Sequence, residues 1–206
     1  MKRIYAGAFA LVGWFAVVGQ YFASHDQSLS STVDYFSYFT ILSNILVAAS
    51  LTSATLAPQS SIGRRLAGPR VALAAAVYIS VTGLTYFLIL SGLYDLKGWV
   101  LFFDRLLHYV MPPAYVIFWL AFVPKGGLRL SAAALALIPP IAYAAYTFVH
   151  GPWTGFYPYP FVDVPKIGVW HTARNVLEFV VFFYVMGIFF VALDRLIARF
   201  RRSAGA

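Results

Sequence analysis

Six long apolar stretches run through the chain, and they constrain its fold more than any other feature of the sequence. They cover residues 4–23, 33–56, 71–93, 102–123, 130–149 and 169–197. Each reaches the roughly 20 residues that a helix needs to cross the hydrocarbon core of a bilayer. The strands of a membrane barrel would instead be about 10 residues long and would alternate in polarity. We therefore predict an all-α integral membrane protein in which residues 1–206 form one six-helix transmembrane bundle.

The composition agrees with a membrane domain. Of the residues, 61% are hydrophobic and 11% are charged, whereas soluble domains are about 25% charged. The sequence contains no cysteine, which excludes disulfides, thiolate nucleophiles and cysteine-ligated metals. The formal net charge is +8, but the basic residues lie in short loops and at the ends of apolar stretches. Membrane topology explains this pattern better than nucleic-acid binding does.

The lysine and arginine residues are divided unequally between the two sets of loops that six crossings would create. Eleven of the fifteen fall on one side, and cytoplasmic loops are the ones that carry such an excess. We therefore predict that both termini are cytoplasmic. The larger set is Lys2, Arg3, Arg64, Arg65, Arg70, Lys125, Arg129, Arg195, Arg199, Arg201 and Arg202, and the smaller is Lys97, Arg105, Lys166 and Arg174.

Polar side chains interrupt the predicted outer halves of three stretches. Buried polar groups in a membrane need partners, and they are there for helix packing or for chemistry. In a continuous helix, Ser37, Thr40 and Asn44 would share one face, and Asp104 could touch His108 one turn away. The full set is Asp34, Ser37, Thr40, Ser43 and Asn44; Asp104, Arg105 and His108; and His171, Arg174, Asn175 and Glu178.

Thr40 and His108 are predicted to lie at similar depth, about 10 Å and 9 Å from the outer ends of their helices at 1.5 Å per residue. An imidazole at that depth could take the proton of the threonine hydroxyl and make it a nucleophile, while Asp104 orients the ring. Asn44, Ser43 or Arg105 would then be candidates to stabilise an oxyanion. This chemistry needs no metal and no cofactor. The competing interpretation is that Thr40 only bonds to its own or a neighbouring helix.

Two other functions use the same residues. His108 and His171 could ligate a haem iron or another metal. Alternatively, Asp34, Asp104, His108, Arg174 and Glu178 could serve ion-coupled transport. Because these charges all fall in the predicted outer half, they favour a pocket open to the outside over a conduction path. A lipid-binding or accessory membrane protein without activity is a further alternative.

The loop at residues 151–165 is rich in proline and aromatic residues and contains Tyr157 and Tyr159. Such a loop is stiff and amphipathic. We expect it to pack on the bilayer surface, to cap the bundle and contribute these tyrosines to a pocket, or simply to connect two helices. Together with His171, Arg174, Asn175 and Glu178, the two tyrosines complete the candidate pocket.

Three motifs, in this order on six predicted spans, resemble the bacterial branch of the androgen-induced-gene and ADTRP-like membrane proteins over nearly the whole chain. The motifs are Tyr38-Phe39-Thr40-Ile41-Leu42-Ser43-Asn44, Leu107-His108-Tyr109-Val110-Met111-Pro112 and Tyr157-Pro158-Tyr159-Pro160-Phe161-Val162-Asp163-Val164. Animal members of that family are intramembrane threonine hydrolases that cleave fatty-acid esters of hydroxy fatty acids. The resemblance implies that Thr40 matches the nucleophile and His108 the general base. It also implies a lipid substrate and a bacterial inner membrane. The distribution of lysine and arginine predicts that the site faces the outer side.

Overall fold

The computed structural model describes residues 1–24 and 28–203, and the regular structure in these ranges is helical. Two π-helical turns, Tyr86–Leu90 and Leu106–Val110, and a 3₁₀ turn, Pro160–Val162, interrupt or join the α-helices. The α-helices are α1 (Lys2–Ser24), α2 (Leu29–Phe36), α3 (Phe39–Leu56), α4 (Ser61–Leu66), α5 (Pro69–Thr85), α6 (Gly98–Arg105), α7 (Met111–Phe122), α8 (Leu130–Leu135), α9 (Ile138–Thr154), α10 (Val164–Ile167) and α11 (Val169–Ser203).

Five helical segments of the described chain are long and apolar enough to cross a membrane. They are α1, α3, α5 with the π-helical turn that follows it, α8 with α9, and α11. The helical structure of the described residues and these five apolar segments are consistent with the predicted all-α membrane bundle. The stretch predicted as the fourth span, residues 102–123, is not among the five. It folds as α6, the π-helical turn Leu106–Val110 and α7.

The second predicted span is not one continuous helix, and this prediction was wrong. Ser37 and Tyr38 separate α2 from α3, and Tyr38 has extended backbone angles (φ −79°, ψ 125°). Ser37 donates to the Val33 carbonyl at 2.7 Å, and its Oγ lies 2.6 Å from the Tyr146 hydroxyl. Ser37 therefore does not share a helical face with Thr40, because the break comes between them.

The chain contains two proline pairs within its apolar stretches, Pro112-Pro113 and Pro139-Pro140, and each lies at the start of a helical segment. Proline has no N–H to donate, and its ring crowds the carbonyl four residues earlier, so it fits best in a first turn. Pro112-Pro113 follows the π-helical turn Leu106–Val110 at the start of α7. Pro139-Pro140 follows the short break between α8 and α9. Each interruption of regular α-helix therefore precedes its proline pair.

The core forms where α5 packs against α3, α7 and α11. Small side chains on α5, including the fully buried Ala72, Ala75 and Ala76, let the neighbouring helices approach closely. A Cβ at Gly83 would lie 3.0 Å from Pro112. The absence of a side chain at Gly83 thus allows α5 to lie directly against the π-helical turn that carries His108.

Candidate functional site

Thr40 lies in the first turn of α3 and is 7% exposed. Its Oγ1 is 3.3 Å from His108 Nε2 and 3.2 Å from the hydroxyl oxygen of Tyr159. The backbone N–H of Thr40 donates to the same Tyr159 oxygen at 3.1 Å. The structure therefore brings together the predicted nucleophile, the predicted base and one tyrosine of the proline-rich loop.

The imidazole of His108 is held by Asp104 in the orientation that a base requires. Its Nδ1 lies 3.1 Å from Asp104 Oδ1 and 3.0 Å from the main-chain carbonyl oxygen of Asp104. Both partners are acceptors, so Nδ1 carries the ring proton of the neutral imidazole. Nε2 is then unprotonated and faces Thr40. The predicted orienting role of Asp104 matches this geometry.

Tyr86 completes the support of His108, and sequence reasoning missed it. The Tyr86 hydroxyl donates to Asp104 Oδ2. Its ring stacks on the His108 ring, with centroids 3.9 Å apart and planes 15° apart. Both residues lie in π-helical turns, which often occur at functional sites. An aromatic residue in a long apolar run gives no signal of such a role.

The hydrogen bonds around Thr40 form a chain with one direction. The Tyr159 oxygen accepts the Thr40 N–H, so its own proton is free for Thr40 Oγ1. Thr40 then donates to His108 Nε2, and His108 donates to Asp104. Burial raises the pKa of the Tyr159 phenol, so that phenol stays protonated and remains a donor. The arrangement can withdraw a proton from Thr40 on one side and donate a hydrogen bond on the other.

Two cavities meet at Thr40 and Tyr159, which line both of them. The first, here called the apolar cavity, is lined chiefly by side chains of α5, α9 and α11, among them Val81, Thr85, Tyr143, Ala144, Val176, Phe179 and Phe183. The second, here called the vestibule, is lined by more polar groups, among them Gln20, Ser24, Tyr38, Tyr86, Tyr94, Asp104 and His108. The candidate nucleophile therefore lies where an apolar space adjoins a polar one.

Comparison of the chain with protein-family models, with curated proteins and with solved structures gives no match. The family resemblance of the three sequence motifs stays a prediction. The chemical capability of the site follows from the geometry of Thr40, His108, Asp104 and Tyr159 and from the two cavities.

The predicted oxyanion donors lie elsewhere. Asn44 donates to the Thr40 carbonyl at 2.9 Å and to the Leu107 carbonyl at 3.4 Å. Ser43 also donates to the Thr40 carbonyl, at 3.0 Å. These two side chains fix the backbone behind the nucleophile and line neither cavity. Arg105 is exposed and lines neither cavity. Among the candidates in the described chain, Tyr159 has the donor beside Thr40 Oγ1.

The polar face predicted on the last helix is not part of the site. His171 is exposed and lines neither cavity, so it does not join buried His108 as a metal ligand. Arg174 Nε and Glu178 Oε1 form an exposed ion pair at 3.4 Å. Asn175 instead donates to the Phe161 carbonyl at 2.9 Å and so ties the proline-rich loop to α11. Across residues 1–24 and 28–203, no three His, Asp or Glu side chains cluster as metal ligands would.

The proline-rich loop caps the site and places Tyr159 in it. The Tyr159 ring is nearly parallel to that of Phe161, at 5.1 Å and 6°, and Phe161 in turn stacks on Phe179 of α11 at 4.7 Å. Tyr157 packs elsewhere, against Gly151, where an added Cβ would lie 2.3 Å from its ring. Of the two predicted loop tyrosines, the structure therefore places Tyr159 in the site and gives Tyr157 a packing role.

Proposed function

We propose that the protein is an integral membrane hydrolase of lipid esters, with fatty-acid esters as its substrate class. Thr40 is the nucleophile, His108 is the general base and Asp104 orients the imidazole. One observation carries the proposal: a buried hydroxyl, imidazole and carboxylate are hydrogen-bonded in series where an apolar cavity adjoins a polar vestibule. Such a series activates hydroxyl nucleophiles in enzymes of unrelated fold.

The proposal includes membership of the family that the three motifs resemble, with six spans and both termini in the cytoplasm. The span that completes the set of six is the fourth in chain order, Gly98–Phe122, about 37 Å of helix at 1.5 Å per residue, which is long enough to cross a bilayer. The uneven distribution of lysine and arginine supports this orientation. The site then faces the outer side of a bacterial inner membrane.

Acylation begins when a lipid ester places its carbonyl carbon beside Thr40 Oγ1. His108 Nε2 takes the threonine proton as Oγ1 forms a bond to that carbon. The imidazolium is stabilised by Asp104, whose carboxylate is in turn held by the Tyr86 hydroxyl. Collapse of the tetrahedral intermediate breaks the bond to the alcohol oxygen, which receives the proton from His108. The acyl group stays on Thr40.

Tyr159 is the donor best placed for the oxyanion. Its hydroxyl lies 3.2 Å from Thr40 Oγ1 and accepts the Thr40 N–H at 3.1 Å. When the carbonyl carbon binds Oγ1, the phenol proton can turn from the threonine oxygen to the oxyanion. A donor already in place at the developing charge lowers the barrier because it needs no reorganisation.

Deacylation uses a water molecule from the vestibule. His108 lines the vestibule and can take a proton from that water, which then attacks the acyl carbon. The bond to Thr40 breaks, the threonine oxygen regains a proton from the imidazolium, and a fatty acid is released. Partly exposed side chains such as Val176 and Val180 also line the apolar cavity. We propose that substrate enters and product leaves beside these side chains, through lipid.

A non-catalytic lipid-binding protein is the second candidate, since the apolar cavity alone could hold a chain. Labelling of membranes by a fluorophosphonate probe, run beside ester turnover, separates the two functions. We expect the wild type to be labelled and to hydrolyse esters, and both signals to disappear in Thr40→Ala and His108→Ala. Labelling no stronger in the wild type than in these variants, together with no turnover, would leave the lipid-binding function.

Matched controls are available within the chain. Thr55→Ala removes a threonine from the same helix whose hydroxyl bonds only to the Leu51 carbonyl. His150→Ala removes a histidine of α9 that stacks on Tyr146 and lines neither cavity. Both variants are expected to keep wild-type labelling. Their loss of labelling would indicate a general effect of the substitutions on the bundle.

A further inference from the structure

The position of His108 determines which half of the ester lies in which cavity. This inference rests on the proposed hydrolysis. His108 lines the vestibule and not the apolar cavity, whereas Thr40 and Tyr159 line both. Because His108 must protonate the departing alcohol oxygen, that oxygen lies on the vestibule side. The acyl chain then extends from Thr40 into the apolar cavity.

The charges of the residues that line the vestibule restrict the charge that the alcohol half of the ester can carry. Asp104 is the one acidic residue among the described side chains that line it, and no lysine or arginine lines it. A phosphate or carboxylate next to the ester on the alcohol half would therefore lie near the Asp104 carboxylate without a cation to offset the repulsion. Repulsion between like charges is strong where water is partly excluded. A neutral alcohol meets no such penalty.

Gln20 adds a specific requirement. Its side chain lines the vestibule, and its Oε1 has no hydrogen-bond partner among the described residues. Because this oxygen is buried, the amide must turn toward the vestibule to accept a hydrogen bond from a ligand. A buried amide oxygen without a partner is costly, and it is satisfied by a donor such as a hydroxyl. The vestibule, at about 290 Å³, is also larger than the apolar cavity, at about 80 Å³. It therefore has room for an alcohol of several heavy atoms.

We propose that the leaving group is an alcohol with no charged group next to the ester, that it carries a further free hydroxyl, and that Gln20 accepts a hydrogen bond from this hydroxyl. A monoacylated glycerol has this chemistry. In the reaction, the bond between Thr40 Oγ1 and the acyl carbon forms and the bond from that carbon to the glycerol oxygen breaks. The proton taken from Thr40 goes through His108 to that oxygen. Water then replaces Thr40 on the acyl carbon.

A matched pair of esters tests the charge requirement. The substrates are 1-dodecanoylglycerol and its 3-phosphate, at equal mole fraction in mixed micelles of one nonionic detergent. We expect kcat/KM to be at least about tenfold higher for the glycerol ester, a difference of about 1.4 kcal/mol. Equal or faster cleavage of the phosphate, still dependent on Thr40, would overturn this inference and leave the proposed hydrolase intact.

The hydroxyl requirement is tested with Gln20→Leu, which removes the acceptor at similar size. We expect kcat/KM for 1-dodecanoylglycerol to fall about tenfold, and that for ethyl dodecanoate, which has no second hydroxyl, to change less than about twofold. Gln59→Leu is the control, since Gln59 is exposed in the loop between α3 and α4. An equal effect of Gln20→Leu on both esters would refute recognition of the hydroxyl.

A binding measurement keeps the inference separate from catalysis. The wild type is titrated with 1-O-dodecylglycerol and with its 3-phosphate, ethers that cannot be hydrolysed. Tighter binding of the neutral ether, lost in Gln20→Leu, supports recognition of the hydroxyl-bearing head group by the vestibule. If no ester is cleaved, this recognition stands, but the proposed hydrolase fails and with it the assignment of that group as the leaving group. Binding of neither ether, or tighter binding of the phosphate, overturns the inference.

Discussion

Replacement of Tyr159 by phenylalanine removes one oxygen and tests the most specific feature of the site. The phenylalanine ring can keep the stack on Phe161. The substitution removes the Tyr159 hydroxyl, which lies 3.2 Å from Thr40 Oγ1 as a donor and accepts the hydrogen bond of the Thr40 N–H. If Tyr159 stabilises the oxyanion, the loss appears in the transition state and not in substrate binding.

The expected size of the effect follows from two opposing terms. Loss of one oxyanion donor typically lowers kcat by about 10²–10³-fold. In the resting protein, however, the Tyr159 hydroxyl also bonds Thr40 Oγ1, and removal of that bond raises the ground state by about 1 kcal/mol. The two terms together predict a fall in kcat of about 10²-fold, with KM changed less than about twofold.

The assay is turnover of 1-dodecanoylglycerol by purified protein in micelles, with Tyr157→Phe as the control. Tyr157 belongs to the same loop and lines neither cavity, so its hydroxyl should not affect kcat. A kcat for Tyr159→Phe within about threefold of the wild type, with Thr40→Ala inactive, would refute the oxyanion role. A rise in KM at constant kcat would instead show that Tyr159 only binds substrate.

Three further substitutions test the support around the site. Asp104→Asn should lower kcat about 10–100-fold. The same change in a Ser-His-Asp triad lowers kcat roughly 10⁴-fold, because the histidine then adopts the wrong tautomer. The smaller effect is expected here because the main-chain carbonyl of residue 104 still accepts the Nδ1 proton of His108. Tyr86→Phe keeps the ring stack but loses the donor to the carboxylate, so kcat should fall about 3–10-fold at unchanged KM. Gly151→Ala places a Cβ 2.3 Å from the Tyr157 ring, so thermal unfolding should occur at a lower temperature and turnover should decrease, whereas Gly127→Ala, with open space around it, should do neither.

The contact of Asp104 with His108 could be predicted because it depends on local helical spacing, and Thr40 and His108 could be placed at similar depth. Asp104 and His108 are four residues apart, and the spacing alone predicts their contact, which the structure contains at 3.1 Å. The rise per residue gave Thr40 and His108 similar depths, and their side chains lie 3.3 Å apart. Periodicity was sufficient for Asp104 and His108 alone. The contact of Thr40 with His108 depends on the packing of distant segments, which spacing does not encode, and the helix used for the depth estimate is interrupted at Ser37 and Tyr38.

Tyr86 was not predicted, and Tyr159 was predicted only as a pocket residue, because the positions of both depend on contacts between distant segments. Tyr86 reaches Asp104 and His108 only because two π-helical turns lie side by side. Tyr159 reaches Thr40 because Asn175 and Phe179 fix its loop against α11. No spacing within either segment encodes these contacts.

The break before α3 also depends on contacts between distant segments. The apolar run through residues 33–56 contains no glycine or proline that would predict it. No side chain caps α3 at Tyr38. The Tyr38 ring instead packs edge-on against Phe156 and Tyr159, at 5.6 Å and 5.7 Å between centroids. Tertiary aromatic contacts therefore hold the extended residue that the local sequence does not require.

The break between α2 and α3 places Thr40 in the first turn of a helix, where its backbone N–H is available and the helix dipole is positive. In a continuous helix, Thr40 would have neither feature. In a helix running from Val33, the Thr40 N–H would be bonded to the carbonyl four residues earlier. Because α3 begins at Phe39, the N–H of Thr40 is available and donates to Tyr159. The positive end of the α3 dipole also points at the nucleophile, and it stabilises negative charge there by about 0.3–2 kcal/mol. Since 1.36 kcal/mol corresponds to tenfold in rate, the break alone can accelerate attack by up to about 30-fold.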